Sequence, residues 1–133
     1  MKNKALTDTQ IGFYRKNGYI VGLPPIFSTP QVREMNAGLD ERLGLLHPGE
    51  DAKEIREWHE SSCFLYDLCM DPGILDRVED ILGPDFYLWG SNFFIKPPRS
   101  MATVGWHQDT YYWPLEPKIS ATVSMGEDYA CCV

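Results

Sequence analysis

The first regular pattern of hydrophobic and polar positions, over residues 7–17, predicts a short helix. Thr7 can cap its N-terminus, and Gln10 stands where it would complete a capping box. Gly18 follows at the position that favours a left-handed residue, so the helix is expected to end there. Tyr19-Ile20-Val21 then predicts a short strand, which Pro24-Pro25 ends.

A second helix is predicted from Ser28 onward. Ser28 supplies a hydroxyl cap, Pro30 falls in the first turn, and Gln31 follows the cap by three residues. Four apolar residues then recur at helical spacing and are expected to face the core: Val32, Met35, Leu39 and Leu43. The helix should end before the polar loop that begins at His47-Pro48-Gly49.

The chain from residue 54 to residue 84 predicts further helix. Residues 54–70 mix charged and aromatic side chains and predict one helix, or a helix after a turn. Asp71-Pro72 begins a clearer helix, with Asp as the cap and Pro at the first position. Its apolar face consists of Ile74, Leu75, Val78, Ile81 and Leu82, and Gly83-Pro84 ends it.

Beyond residue 85 the chain becomes rich in aromatic and β-branched residues, which predicts strands. Three are expected: Phe86 to Ile95, Thr103 to Thr110, and Lys118 to Met125, where Ile119, Ala121, Val123 and Met125 alternate with polar residues. Residues 126–133 carry no clear pattern. The whole pattern predicts one α+β domain over residues 1–133, helical over 1–84 and β-rich over 85–125.

Composition and charge narrow the function. The chain has 133 residues, 44% hydrophobic and 13% aromatic, which suits one folded domain with a core. The net charge is −7 and no basic cluster is present, which argues against a nucleic acid or an anionic membrane as partner. Charges are scattered through the first residues, and no apolar run approaches ~20 residues, so neither a signal peptide nor a membrane span is expected.

The four cysteines are Cys63, Cys69, Cys131 and Cys132, and none forms a Cys-x-x-Cys pair. Cys63 and Cys69 lie in an apolar stretch and are expected to be free, buried thiols. This usage indicates a soluble protein of a reducing compartment, and we expect it in the cytoplasm.

The stretch Gly105-Trp106-His107-Gln108-Asp109 carries the candidate chemistry. On a strand, residues two positions apart point to the same face, so His107 and Asp109 can converge on one point. One His and one carboxylate are two of the three ligands of the facial triad that holds non-haem Fe(II). An exposed pair, hydrogen-bonded only to each other, is the alternative.

A third ligand is not evident from the sequence. His47 lies in a Pro-Gly loop and is expected to face solvent. His59 lies in Trp58-His59-Glu60 and is expected on a helix surface or in packing. Four residues near the end of the chain could reach the pair only by accident: Glu127, Asp128, Cys131 and Cys132.

Several segments, in order along the chain, resemble the phytanoyl-CoA dioxygenase family. Phe13 to Val21 resembles the family's N-terminal helix and the Gly-aromatic-hydrophobic segment after it. Asp71 to Pro84 resembles the helix before its sheet. The most specific match is Asn92-Phe93-Phe94-Ile95-Lys96-Pro97-Pro98 followed by Trp106-His107-Gln108-Asp109. The likeness extends over about residues 8–118.

The resemblance implies a non-haem Fe(II)- and 2-oxoglutarate-dependent dioxygenase that uses O2 and has a double-stranded β-helix (jelly roll). His107 and Asp109 would be the iron ligands, and Asn92 and Lys96 would contribute to the 2-oxoglutarate pocket. Five side chains would line the mouth where a small-molecule substrate enters: Trp106, Gln108, Tyr111, Tyr112 and Trp113. Related halogenases replace the carboxylate ligand with a small residue, so Asp109 favours hydroxylation.

The family also has parts that this sequence lacks. Its second His ligand lies on a later strand, and an Arg beyond that His binds the distal carboxylate of 2-oxoglutarate. The sequence ends at Val133 without either, and the likeness fades from about Ser120. The expected fold is therefore N-terminal helices followed by the first strands of an incomplete jelly roll, as in a C-terminally truncated member. Unpaired sheet edges would favour self-association.

Two classes of function stay open. The first is an oxygenase, and the second is a non-catalytic chain, either an inactive remnant or a subunit that a partner completes. A divalent-metal-binding module that uses His107 and Asp109, for Zn(II) for example, is a third possibility. The substrate is not identified, since family members act on acyl-CoA thioesters, amino-acid-like solutes and natural products.

Overall fold

A computed structural model of the chain describes residues 4–50, 56–92, 101, 103, 105, 107–125 and, for the backbone alone, 130–132. Within these residues, helices come first and a small sheet last. The elements are α1 (Asp8–Asn17), α2 (Thr29–Leu43), α3 (Trp58–Ser61), α4 (Cys63–Cys69), α5 (Pro72–Leu82), α6 (Asp109–Tyr112), β1 (Val123–Met125) and β2 (Ala130–Cys132). None of the helices in this part of the chain has the length and apolar character needed to span a bilayer.

The ends of the first two helices follow from local hydrogen bonds, as the sequence predicts. At α1, Thr7 Oγ1 accepts from the Gln10 amide at 3.2 Å, and Gln10 Oε1 accepts from the Thr7 amide at 2.8 Å. Gly18 then ends the helix at φ 80°, a conformation that costs glycine little. At α2, Gln31 Oε1 accepts from the Ser28 amide at 2.9 Å.

A first apolar cluster joins the N-terminal segment to α5. Its buried residues are Leu6, Ile11, Ile20 and Leu23, and Tyr14, Ile81 and Val123 pack against it. Polar contacts reinforce this junction: Asp80 Oδ2 accepts from the amides of Ala5 and Leu6 at 2.7 and 2.8 Å. Arg77 Nη2 also donates to the Pro24 carbonyl at 2.6 Å. Helix α5 therefore holds the beginning of the chain by side-chain hydrogen bonds as well as by apolar packing.

A second apolar cluster lies between α2 and α4. Trp58 and Leu65 are buried in it, and Leu43, Leu46, Phe64 and Leu68 pack around them. The Arg42 guanidinium lies 4.4 Å from the centre of the Phe64 ring, and Gly38 leaves the space that this ring occupies. The predicted stripe of α2 is half-buried, and none of its four apolar residues is fully buried.

The cysteine prediction is correct on redox state and partly wrong on burial. Cys63 and Cys69 are free thiols, but Cys63 is exposed and Cys69 is only partly buried. The helical period explains the difference, because Leu65 defines the buried side of α4 and Cys69 lies one turn beyond it. Cys63, two residues before Leu65, falls on the other side.

The strand predictions are largely wrong in the described residues. Residues 86–92 form no strand, residues 109–112 are helical, and of the stretch 118–125 only Val123–Met125 is strand. Pairing decides this, since aromatic and β-branched residues favour extended backbone but a strand needs a neighbour. The partner that the structure provides is β2, where the sequence carries no clear pattern: Val123 pairs with Cys132 and Met125 with Ala130, antiparallel. Residues 93–95 of the first predicted strand lie outside the described residues.

Candidate metal centre

His107 and Asp109 lie side by side at the surface. His107 Nε2 is 3.2 Å from Asp109 Oδ1, and the two side chains are 38% and 36% exposed. The described residues of the strand that was expected to place them, namely 103, 105 and 107–110, form no strand. Gln108 is extended, with φ −121° and ψ 123°, and Asp109 begins helix α6. One extended residue between them is enough to bring both side chains to the same side.

Each member of the pair is also tied to a second group. His107 Nδ1 lies 2.8 Å from the Gly105 carbonyl oxygen, and Thr122 Oγ1 donates to Asp109 Oδ2 at 2.9 Å. Because a carbonyl only accepts, Nδ1 carries the proton and Nε2 presents a lone pair in the neutral ring. One polar atom of each side chain is thus hydrogen-bonded to a group outside the pair, and the other polar atom faces the second member of the pair.

The two facing atoms can share a cation. With Nδ1 bonded to the Gly105 carbonyl, Nε2 faces Asp109 Oδ1 either as the second N–H of a protonated ring or as a lone pair that binds a metal ion together with the carboxylate. Protein ligands lie about 2.0–2.2 Å from a bound metal, so two ligands at right angles in an octahedron are about 3 Å apart. The observed 3.2 Å fits neighbouring ligands of one metal.

A third metal ligand is not present in the described part of the chain, where no group of three or more His, Cys, Asp or Glu side chains could hold a metal ion. His47 is exposed, in agreement with its expected position in a loop. His59 packs against the chain, as one of the two expectations had it, with Nδ1 2.8 Å from Ser91 Oγ and a side chain only 10% exposed. The four late candidates lie beyond the side chains that the structure describes.

An open cavity of about 380 Å³ lies beside the pair and is lined by His107, Gln108, Tyr111 and Tyr112. The two tyrosine rings meet edge to face, with centroids 5.2 Å apart, and are 77% and 70% exposed. Trp113 is half-buried and stacks on Trp89 with centroids 6.4 Å apart. The last two residues of α6, Tyr111 and Tyr112, therefore form an aromatic wall of the cavity.

Lys118 fixes the turn that carries this wall. Its ammonium lies 3.0 Å from the Thr110 carbonyl oxygen, 3.4 Å from that of Tyr111 and 3.5 Å from that of Trp113. A cation at the C-terminal end of a helical turn satisfies carbonyls that have no partner in the helix. This contact favours the helical turn over the strand that the residue types predict.

The remaining predicted site residues divide in two groups. Asn92 is exposed and is not among the described residues that line the cavity. Lys96 and Trp106 lie outside the described residues. Sequence reasoning missed Thr122 and Lys118, although the alternation over 118–125 did place Thr122 on the polar side. Only the folded chain reveals that this side meets Asp109.

A comparison with protein families places the chain. It matches the family described as Phytanoyl-CoA dioxygenase (PhyH) over residues 14–126, which include His107 and Asp109. With so much of its 133 residues matched, the chain belongs to the phytanoyl-CoA dioxygenase family. The resemblance drawn from the sequence segments is thereby confirmed.

The curated relatives that match include three proteins named ectoine dioxygenase. The protein of Streptomyces coelicolor is 24% identical over 133 residues, which cover 96% of this chain and 41% of the relative. That of Streptomyces avermitilis is 23% identical over 141 residues, covering 93% and 48%. That of Streptomyces anulatus is 26% identical over 117 residues, covering 84% and 38%. The chain thus spans less than half the length of each relative, and no solved structure matches it significantly.

Proposed function

We propose that this chain is part of a non-haem Fe(II)- and 2-oxoglutarate-dependent dioxygenase that hydroxylates a small molecule. The observation that carries the proposal is the pair itself, with His107 Nε2 and Asp109 Oδ1 facing each other at 3.2 Å, the separation of two neighbouring ligands of one metal. Membership of the phytanoyl-CoA dioxygenase family supports iron as the metal.

His107 and Asp109 are the proposed metal ligands. Two protein ligands leave positions open on the metal, as the facial triad does with three. Bound Fe(II), with 2-oxoglutarate and O2, would supply the oxidising chemistry that inserts oxygen into a C–H bond. The chain's own residues hold the ligand atoms, shield the site and orient the substrate.

Roles for the other residues are part of the same proposal. Lys96 and Asn92 would hold the carboxylates of 2-oxoglutarate, by charge and by amide hydrogen bonds. Gln108, Tyr111, Tyr112, Trp106 and Trp113 would contact the substrate. The cavity beside the pair supports this assignment for Gln108, Tyr111 and Tyr112.

The substrate that we propose to test first is ectoine. Three relatives bear the name ectoine dioxygenase, and this shared name is what favours ectoine.

The finer features of the fold belong to the proposal too. We place the single domain over residues 1–133, with residues 85–125 as the start of a double-stranded β-helix, because the family implies that fold. Cytoplasmic location is proposed from the free Cys63 and Cys69 thiols. Self-association through sheet edges stays a prediction.

The test is anaerobic titration of the chain with Fe(II) and 2-oxoglutarate, followed by the weak visible charge-transfer band of the chelate. The wild-type chain should develop the band, while His107→Ala and Asp109→Ala should not. His47→Ala is the matched control, because His47 is exposed in a loop and should leave the band unchanged.

The outcome separates the two classes of function. A band that depends on His107 and Asp109 supports the oxygenase and calls for a third ligand outside the described residues or from a second chain. No band in the wild-type chain would overturn the proposal for this chain and favour a non-catalytic remnant or a subunit that a partner completes. Binding of Zn(II) alone, without the chelate band, would favour the metal-binding module.

A further inference from the structure

The two carboxylate oxygens of Asp109 have different partners. Oδ1 faces His107 Nε2 at 3.2 Å, whereas Oδ2 accepts the Thr122 hydroxyl at 2.9 Å. A carboxylate that is free to rotate can offer either oxygen, or both, to a cation. Here the hydrogen bond from Thr122 distinguishes the two oxygens before any ligand arrives.

Thr122 is presented to Asp109 by a segment that the core holds. The next residue, Val123, packs against the first apolar cluster and begins β1, which pairs with β2. Successive side chains of an extended chain point to opposite sides, so fixing Val123 on the core turns Thr122 away from it. Thr122 and Asp109 are 13 positions apart in the sequence, so the bond also joins α6 to the sheet.

We propose that Thr122 is a positioning residue that makes Asp109 a ligand through one oxygen only, Oδ1. The inference rests on the proposed function, because it concerns the metal that His107 and Asp109 would hold. Hydrogen-bond partners of metal ligands fix ligand orientation and commonly change metal affinity when they are removed.

One-oxygen binding matters for the chemistry of such a site. A carboxylate that binds through both oxygens occupies an additional position on the metal, which the co-substrate or O2 would otherwise take. By holding Oδ2, the Thr122 hydroxyl keeps that position open. Its removal should therefore change the geometry around the metal as well as the affinity.

The test uses Co(II) as a spectroscopic probe on the whole chain under anaerobic conditions. Thr122→Val keeps the side-chain shape but removes the hydroxyl, and Thr122→Ser keeps the hydroxyl. Ser124→Ala is the matched control, because it removes an exposed hydroxyl two residues further along the chain, in β1. Co(II) affinity, the visible Co(II) spectrum and the thermal midpoint of the metal-free protein are measured for each.

We expect Thr122→Val to weaken Co(II) binding roughly 10-fold or more and to alter the visible spectrum. Thr122→Ser and Ser124→Ala should bind like the wild-type chain. If Thr122→Val lowers the thermal midpoint, Thr122→Ala is compared with Thr122→Ser, since only the hydroxyl should restore affinity and spectrum.

Two failures are distinguishable. Wild-type affinity and spectrum in Thr122→Val and Thr122→Ala, with binding still lost in His107→Ala, would overturn the role of Thr122 and leave the proposed function standing. Absence of His107-dependent Co(II) binding in the wild-type chain would overturn the metal site, and the role of Thr122 with it.

Discussion

The helical region, residues 5–82, and the site region, residues 107–125, are held together in different ways. All the buried apolar residues of the described chain lie in the helical region: Leu6, Ile11, Ile20, Leu23, Trp58, Leu65 and Ile74. In residues 107–125 no residue is buried. Side-chain hydrogen bonds from Thr122 and Lys118 fix the backbone and the carboxylate there instead.

This difference has an energetic consequence. Full burial of a large apolar side chain contributes about 1.5–3 kcal/mol, whereas one hydrogen bond contributes a net of about 0.5–1.5 kcal/mol. The helical region can therefore maintain the stability of the folded chain when residues of the site region are substituted. Substitutions in the two regions should separate folding from metal binding, and four predictions test that separation.

The largest effect should come from the first apolar cluster. Leu6 is 2% exposed, so Leu6→Ala should lower the free energy of unfolding by about 2–5 kcal/mol through lost burial and a residual cavity. Leu45 is 75% exposed, and Leu45→Ala should change the free energy of unfolding by less than about 0.5 kcal/mol. Urea denaturation measures both, and equal effects would contradict the placement of the core.

Next in size is the link between α5 and the start of the chain. Asp80→Ala leaves the amides of Ala5 and Leu6 without their shared acceptor and should lower the free energy of unfolding by about 1.5–3 kcal/mol. Asp85→Ala, at an exposed position, is the control. Urea denaturation that finds the same stability for both variants would exclude this role of Asp80.

A smaller effect is expected at the turn that carries the tyrosines. Lys118→Met removes the ammonium from three carbonyls of this turn. The Tyr111 amide reports on the turn, because it donates to the Gln108 carbonyl at 3.0 Å. In the variant, this amide should exchange its hydrogen roughly two- to five-fold faster. Lys16→Met, in the last turn of α1, should leave that exchange unchanged. The measurement is amide hydrogen exchange followed by NMR. An unaltered exchange rate at Tyr111 would show that Lys118 does not stabilise the turn.

The smallest effect concerns the cysteines of α4. Burial raises the pKa of the Cys69 thiol above its ordinary value, so the folded chain keeps a proton that the unfolded chain releases. The contribution of the Cys69 thiol to stability is complete when the pH is below the ordinary thiol pKa. It falls as the pH rises through the higher pKa of the folded chain. At pH 8, iodoacetamide should label the exposed Cys63 several-fold faster than Cys69, as read by peptide mass spectrometry. Equal rates would mean that α4 does not shield Cys69.

The helix ends are features of the fold that neighbouring residues in the sequence determine. Thr7 with Gln10, Ser28 with Gln31, and Asp71 with Pro72 each act within three residues, and each begins a helix where predicted. The convergence of His107 and Asp109 is also local, because it needs only one extended residue between them. It holds even though the described residues around the pair form no strand.

The strands show where local sequence is insufficient. Residues 86–92 have the composition of a strand but lack a partner in the described chain, while Ala130–Cys132 has no clear pattern and pairs with β1. Pairing depends on which segments meet in space, and residue types at one segment do not contain that information.

The sequence by itself thus determined the family, the three capped helices and the convergence of His107 and Asp109. The tertiary structure decided that Asp109 begins a helical turn, that the Lys118 ammonium lies on the carbonyls of this turn, and that the Thr122 hydroxyl donates to Oδ2 of Asp109. The reason is the range of the interactions. Caps and two-residue spacings act between neighbours in the chain, whereas the contact between Thr122 and Asp109 exists only after β1 has been anchored on the core through Val123.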